Sequence, residues 1–86
     1  MSLLLIILQI IGALPQVIKF AQMVWEAIKQ IRGRRERVAA KKKFYAIVLR
    51  RKNIKKMSAD DQQSLLLELE GLHSEVSGIL KMEGVI

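Results

Sequence analysis

Apolar residues crowd the front of this chain, and the few polar ones among them are regularly spaced. No charge occurs between Met1 and Ile18, where the polar side chains are Ser2, Gln9 and Gln16. Taken with Gly12, Lys19, Gln22, Glu26, Gln30 and Gly33, the polar and small positions recur at steps of three or four. Such steps put them on one narrow stripe of a helix, opposite a broad face of Leu14, Val17, Ile18, Ala21, Val24, Trp25, Ile28 and Ile31. The pattern predicts one long helix over about 2–31. Pro15 should bend it, because the ring removes an N–H and crowds the carbonyl of Ile11.

The uncharged run alone would make roughly 27 Å of helix, close to a hydrocarbon core of about 30 Å. Extended to Trp25 it is long enough to span, with Lys19 snorkelling toward headgroups and Trp25 at the interfacial level. As a core helix it would need apolar cover on nearly every side, which a small domain can hardly supply. A membrane helix is therefore expected, either a single-pass anchor or one member of an oligomer. In the oligomer, Gln9, Gly12, Gln16, Lys19, Gln22 and Glu26 form the contact or lumen face.

Gly33 marks the expected end of this helix, in a left-handed conformation. A second helix is predicted over about 34–55, with Ala40, Phe44, Ile47, Val48 and Ile54 on one side. Residues 44–49, "FYAIVL", are too short a run for periodicity to separate helix from strand; the surrounding Ala, Lys and Arg favour helix. A third helix should begin at Ser58, which has Asp61 at capping-box spacing and Asp60 and Asp61 at the positive end of the dipole. Leu65, Leu69, Leu72, Val76 and Ile79 then follow at steps of four and three, with Leu66 and Leu80 broadening this stripe for packing on another helix. Gly84 is expected beyond the end. The fold class is thus all-α: a long N-terminal transmembrane helix (1–31), a basic juxtamembrane helix (32–57) and an acidic amphipathic helix (58–86).

Charge sharpens this division. Across 86 residues the net charge is +7, yet residues 29–56 hold thirteen Lys or Arg against Glu36 alone, while residues 57–86 hold six acids against Lys81. After an apolar span, such a basic block is the positive-inside signature, placing the N-terminus outside and the C-terminus in the cytoplasm. Arg32, Arg34, Arg35, Arg37, Lys41, Lys42, Lys43, Arg50, Arg51, Lys52, Lys55 and Lys56 are the candidate contacts for anionic headgroups. Nucleic acid is the second candidate partner, with Phe44 or Tyr45 available to stack on bases, although no nucleic-acid fingerprint is present. Glu68, Glu70 and Glu75 can answer the basic block within the chain or between copies, favouring register more than stability.

Chemistry is excluded more firmly. There is no cysteine and His73 is the one histidine, so thiolate and multi-histidine metal sites are out, and His73 is expected on a solvated or interfacial helix face. The serines lack a paired base, Asp60 and Asp61 are explained by capping, and the glycines are isolated, so neither a catalytic constellation nor a phosphate loop is expected. No cofactor is implied. The start lacks a basic n-region and a cleavage site, so the apolar stretch should remain in the mature chain. The expected role is a non-enzymatic, membrane-embedded structural or assembly subunit, a homo-oligomer or part of a larger complex. A holin-like pore former and a nucleic-acid-binding virion or helical assembly protein are the alternatives.

Overall fold

Gly12 and Pro15 decide the architecture. The computed structural model describes residues 3–86, and the described residues form four helices: α1 (Leu3–Ile10), α2 (Pro15–Lys29), α3 (Arg34–Leu49) and α4 (Ala59–Met82). The protein is all-α, but the single long helix expected over 2–31 is two. Gly12 takes φ +87°, the left-handed region that glycine enters without a Cβ penalty. Across it, the Gly12 N–H donates to the Gln9 carbonyl at 3.2 Å and the Ala13 N–H to the Leu8 carbonyl at 2.9 Å. These two bonds are the Schellman closure of a helix C-terminus.

Pro15 does not bend a helix; it opens one. It stands in the first turn of α2, where its missing N–H would have had no intrahelical partner. The Ile11 carbonyl, which a continuous helix would have pressed against the ring, instead accepts from the Met57 N–H at 2.9 Å. Gln62 satisfies the rest of the break. This residue is only 8% exposed; its Nε2 donates to the Gly12 carbonyl at 2.8 Å, and its Oε1 accepts from the Leu14 N–H at 3.1 Å. The two bonds satisfy both ends of the buried Gln62 amide, whose polar atoms would otherwise be costly to leave unpaired.

Once folded back, the apolar front has cover. Leu4, Leu5, Leu8, Ile11 and Ala13 share one core with Val17, Val24 and Ile28 of α2, Phe44 and Val48 of α3, and Leu65, Leu69 and Val76 of α4. Helices α2, α3 and α4 each pack on the other two, whereas α1 packs on α2 and α3 and makes no close backbone approach to α4. The result measures 40 × 19 × 18 Å, about the length of the 24-residue α4 at 1.5 Å per residue. Among the described residues no helix is long and apolar enough to cross a membrane. The spanning segment expected from composition is thus divided into two shorter helices that bury their apolar sides against α3 and α4.

Two further boundaries differ from expectation. Gly33 is not a left-handed stop: α2 ends at Lys29, and Gly33 is the N-cap of α3 at φ −64°. A Cβ at Gly33 would displace the flexible, exposed Glu36 carboxylate and sit 3.1 Å from Glu83 Oε2. Helix α3 includes residues 44–49 but stops at Leu49, and a turn-rich segment leads on to Ser58. Helix α4 starts where expected, with Asp61 N–H donating to Ser58 Oγ at 3.1 Å and Ser58 N–H to Asp61 Oδ2 at 2.9 Å. Leu65, Leu69, Leu72 and Val76 are buried, but Leu80 completes the row while Ile79 stays half-exposed. Gly84, at φ +75°, closes the C-terminus beyond Met82.

Removing the break should therefore unsettle the whole fold. Gly12→Ala is expected to cost about 1 kcal/mol through left-handed strain, lowering Tm by roughly 4–8 °C in a thermal melt. Gln62→Ala should cost more, about 1–3 kcal/mol, because two backbone groups lose their partners. Unchanged melting of both variants would show that 11–14 is not a structural junction.

Candidate basic interaction surface

The twelve cations singled out from the sequence divide into those the fold uses and those it leaves outward. Arg51 is the most enclosed at 9% exposure. It lies four residues after Ile47 on the inward side of α3's extension, so its guanidinium is carried into the α3–α4 seam. There it donates from Nη1 to the Ile47 carbonyl at 2.6 Å and from Nη2 to Ser64 Oγ at 3.2 Å. Glu68 Oε2 stands 2.7 Å from the same Nη2 as an ion pair without hydrogen-bond alignment. Oε1 of that carboxylate takes Arg50 Nη2 at 2.5 Å. Lys43 Nζ pairs with Glu75 Oε2 at 2.7 Å, with both groups more than half exposed, where such a pair contributes about 0–1 kcal/mol.

Arg37 is also used internally, since its Nη1 donates to the Ile31 carbonyl at 2.9 Å. Lys41 sits with its Nζ 5.6 Å from the centroid of Trp25, within reach of a cation–π attraction. Trp25 in turn packs on Phe44 and Tyr45, at centroid distances of 5.3 and 5.8 Å. The two α3 aromatics are thus engaged with α2, and Phe44 is fully buried, which removes it as a stacking platform for bases. Arg32, Arg34, Arg35, Lys42, Lys52, Lys55 and Lys56 are exposed. None of these seven forms an ion pair among the described residues.

Spacing assembles part of that set into a face. Residues 34, 38, 42, 45 and 49 follow steps of four, four, three and four, with 35 beside them, so they make one ridge along α3. Arg34, Arg35 and Lys42 alternate there with Val38, Tyr45 and Leu49, which are 43%, 40% and 42% exposed. Arg34, Arg35, Val38, Ala39 and Lys42 border a shallow depression of about 510 Å³. Lys52, Lys55 and Lys56 extend the positive charge along the turn after α3.

The stripe Gln9, Gly12, Gln16, Lys19, Gln22 and Glu26 does not survive as one line. Gln9 and Gly12 lie at the end of α1, and the other four on α2; all are exposed except half-buried Gln22. The junction at 11–14 breaks the register that joined them. His73 is half-buried, its ring 5.6 Å from that of Phe20. Gly71 and Gly78 face open space, with nothing within 4 Å of a would-be Cβ. Between α3 and α4 a groove of about 400 Å³ is floored by Ile47 and Leu72 and crossed by the ion pairs of Lys43 and Arg50.

Sequence reasoning missed three polar anchors. Gln62 lies three residues before Leu65, on the buried stripe of α4, and Arg51 three after Val48, on that of α3; a polar residue continuing an apolar row was the available signal. The third, Glu83, is placed by the end of α4 at the linker before α3. Its Oε1 accepts from the Arg32 N–H and its Oε2 from the Gly33 N–H, both at 2.8 Å. Compared with known proteins, the chain matches no family model, no curated protein and no solved structure.

The clamp is electrostatic and should show in acid. The N–H groups of Arg32 and Gly33, aided by the Arg32 and Arg37 charges, hold the Glu83 carboxyl below its ordinary value. A depressed carboxylate adds stability above its unfolded pKa of about 4.3, and that stability is lost as pH falls through the lower folded value. Glu83→Gln should therefore be less stable than the parent at neutral pH, and their denaturation midpoints should converge at the acid end. Parallel curves across that range would reject the clamp.

Proposed function

We propose that this protein is a small, non-enzymatic helical assembly subunit that lies on an anionic lipid surface, with the outward ridge of α3 against the headgroups. One observation carries the reading: cations without carboxylate partners, Arg34, Arg35 and Lys42, are interleaved with the exposed apolar side chains of Val38, Tyr45 and Leu49. Near an anionic bilayer each cation contributes roughly 1 kcal/mol, and apolar side chains on the same side gain by entering the acyl boundary. A phosphate backbone would reward the cations through counterion release but offer nothing to valine and leucine. Lipid is favoured over nucleic acid for that reason.

Attachment at the surface takes the place of a spanning anchor in this reading, since no described helix is long and apolar enough to cross. The negatively charged leaflet facing the cytoplasm is the fitting surface. Several copies on one surface would still make an assembly, with α4 outward for contacts to other protein.

Vesicle flotation tests this. The protein should float with vesicles of equal parts phosphatidylcholine and phosphatidylglycerol and not with phosphatidylcholine alone. Changing Arg34, Arg35 and Lys42 together to Gln should weaken binding by about 3 kcal/mol, on the order of a hundredfold. Failure to float, together with DNA or RNA binding that falls steeply with salt, would replace lipid by nucleic acid. Equal binding to neutral vesicles would remove the role given to the cations.

A further inference from the structure

Helix α1 carries a second outward feature that the basic ridge does not explain. Leu4, Leu5 and Leu8 are buried, while Leu3, Ile6 and Ile10, at steps of three and four, form the opposite side and are 71%, 40% and 73% exposed. Three large aliphatic side chains on one outward face is an arrangement that a water-exposed helix rarely keeps without a partner.

We infer that α1 is the inserting element of the lipid contact: its Leu3–Ile6–Ile10 face enters the interfacial layer of an anionic bilayer alongside the ridge of α3, with α4 turned away. This rests on the lipid-surface reading above. Position supports it first. Helix α1 packs on α2 and α3 and makes no close backbone approach to α4, so the acidic helix does not cover its exposed face.

Charge supports it independently. Residues 3–25 and 37–59 contain no Asp or Glu, which leaves α1 and the outer side of α3 free of carboxylates; Glu36 is turned toward α4, where it borders a cleft with Glu75 and Val76. The Lys55–Lys56 stretch flanks the end of α1, for Met57 N–H is bonded to the Ile11 carbonyl at 2.9 Å and the Lys56 stem approaches Gly12. Asp60 and Asp61 follow at the start of α4, where Asp61 is occupied in capping Ser58. Helix α1 itself carries no charge, so its apolar face would gain from acyl burial while the neighbouring lysines are drawn to anionic headgroups. Its eight residues, roughly 12 Å long, suit a helix lying in the plane of the surface.

The absence of cysteine makes this directly measurable on the full chain. Ile10→Cys, on α1, and Leu67→Cys, on the outward side of α4, are each labelled with an environment-sensitive fluorophore and mixed with the phosphatidylcholine–phosphatidylglycerol vesicles. The α1 label should shift to the blue on binding and the α4 label should not. Ile10→Asp should lower vesicle affinity by roughly tenfold or more, since it removes apolar burial and adds a repelled charge. If the parent protein floats but the α1 label stays in water, or Ile10→Asp binds as tightly as the parent, insertion by α1 is overturned while surface attachment by α3 stands. A blue shift on concentrating the protein without lipid would assign the face to a second copy and overturn the inference likewise. A parent that does not float removes both readings. Circular dichroism of each variant separates loss of binding from loss of fold.

Discussion

The chain reverses between Ile11 and Leu14, with backbone groups there hydrogen-bonded by distant parts of the fold; the rest of the architecture depends on that junction. The Ile11 carbonyl goes to Met57, and Gly12 and Leu14 go to the two ends of one side-chain amide, that of Gln62. Without that pairing the turn would cost more, and α1 would be less firmly held against α2 and α3. The leucines that complete the core of the α2, α3 and α4 bundle at one end would be held less firmly with it.

A similar economy governs the charges. Glu68 and Glu75 engage Arg50, Arg51 and Lys43 along the α3–α4 seam, and Glu83 is committed to backbone donors rather than to a side chain. The acidic tail therefore neutralises one edge of α3 and leaves its outer ridge untouched. Two sides of the molecule thus differ in charge: α4 exposes Asp60, Glu70 and Glu75 among polar and small residues and Leu67, whereas α1 and the outer ridge of α3 present apolar and cationic side chains without carboxylates. This asymmetry is what supports a surface-bound role over a freely tumbling one.

Much of this was readable in the chain beforehand, and the failures share one origin. The all-α class, the capping box at Ser58, the place of Gly84 beyond the last helix and the row Leu65–Leu69–Leu72–Val76 follow from local rules that held, whereas the left-handed stop expected at Gly33 did not. The period through residues 9–26 was continuous enough to suggest one helix, yet Gly12 and Pro15 are the C-terminal and N-terminal signals of two. What tipped the balance was a residue 50 positions away, the Gln62 that receives the junction. Of the twelve cations, five turned out to be occupied, because partners such as Glu68 and the Trp25 ring are set by tertiary packing that spacing along α3 does not reveal. The exposed face of α1 was likewise hidden, since it exists only once the helix is cut short.

The long reach of the Gln62 contacts also bears on the order in which the protein takes shape. The bonds that fix the α1–α2 junction join residues 48 and 50 positions apart, and contacts so distant in sequence form after local ones because the loop between them must first be closed. Helix α1 is made well before Met57 and Gln62, the residues that tie down its end. The most apolar segment of the chain therefore spends its early life without its partners, and a membrane surface within reach during synthesis would compete with the protein's own interior for it.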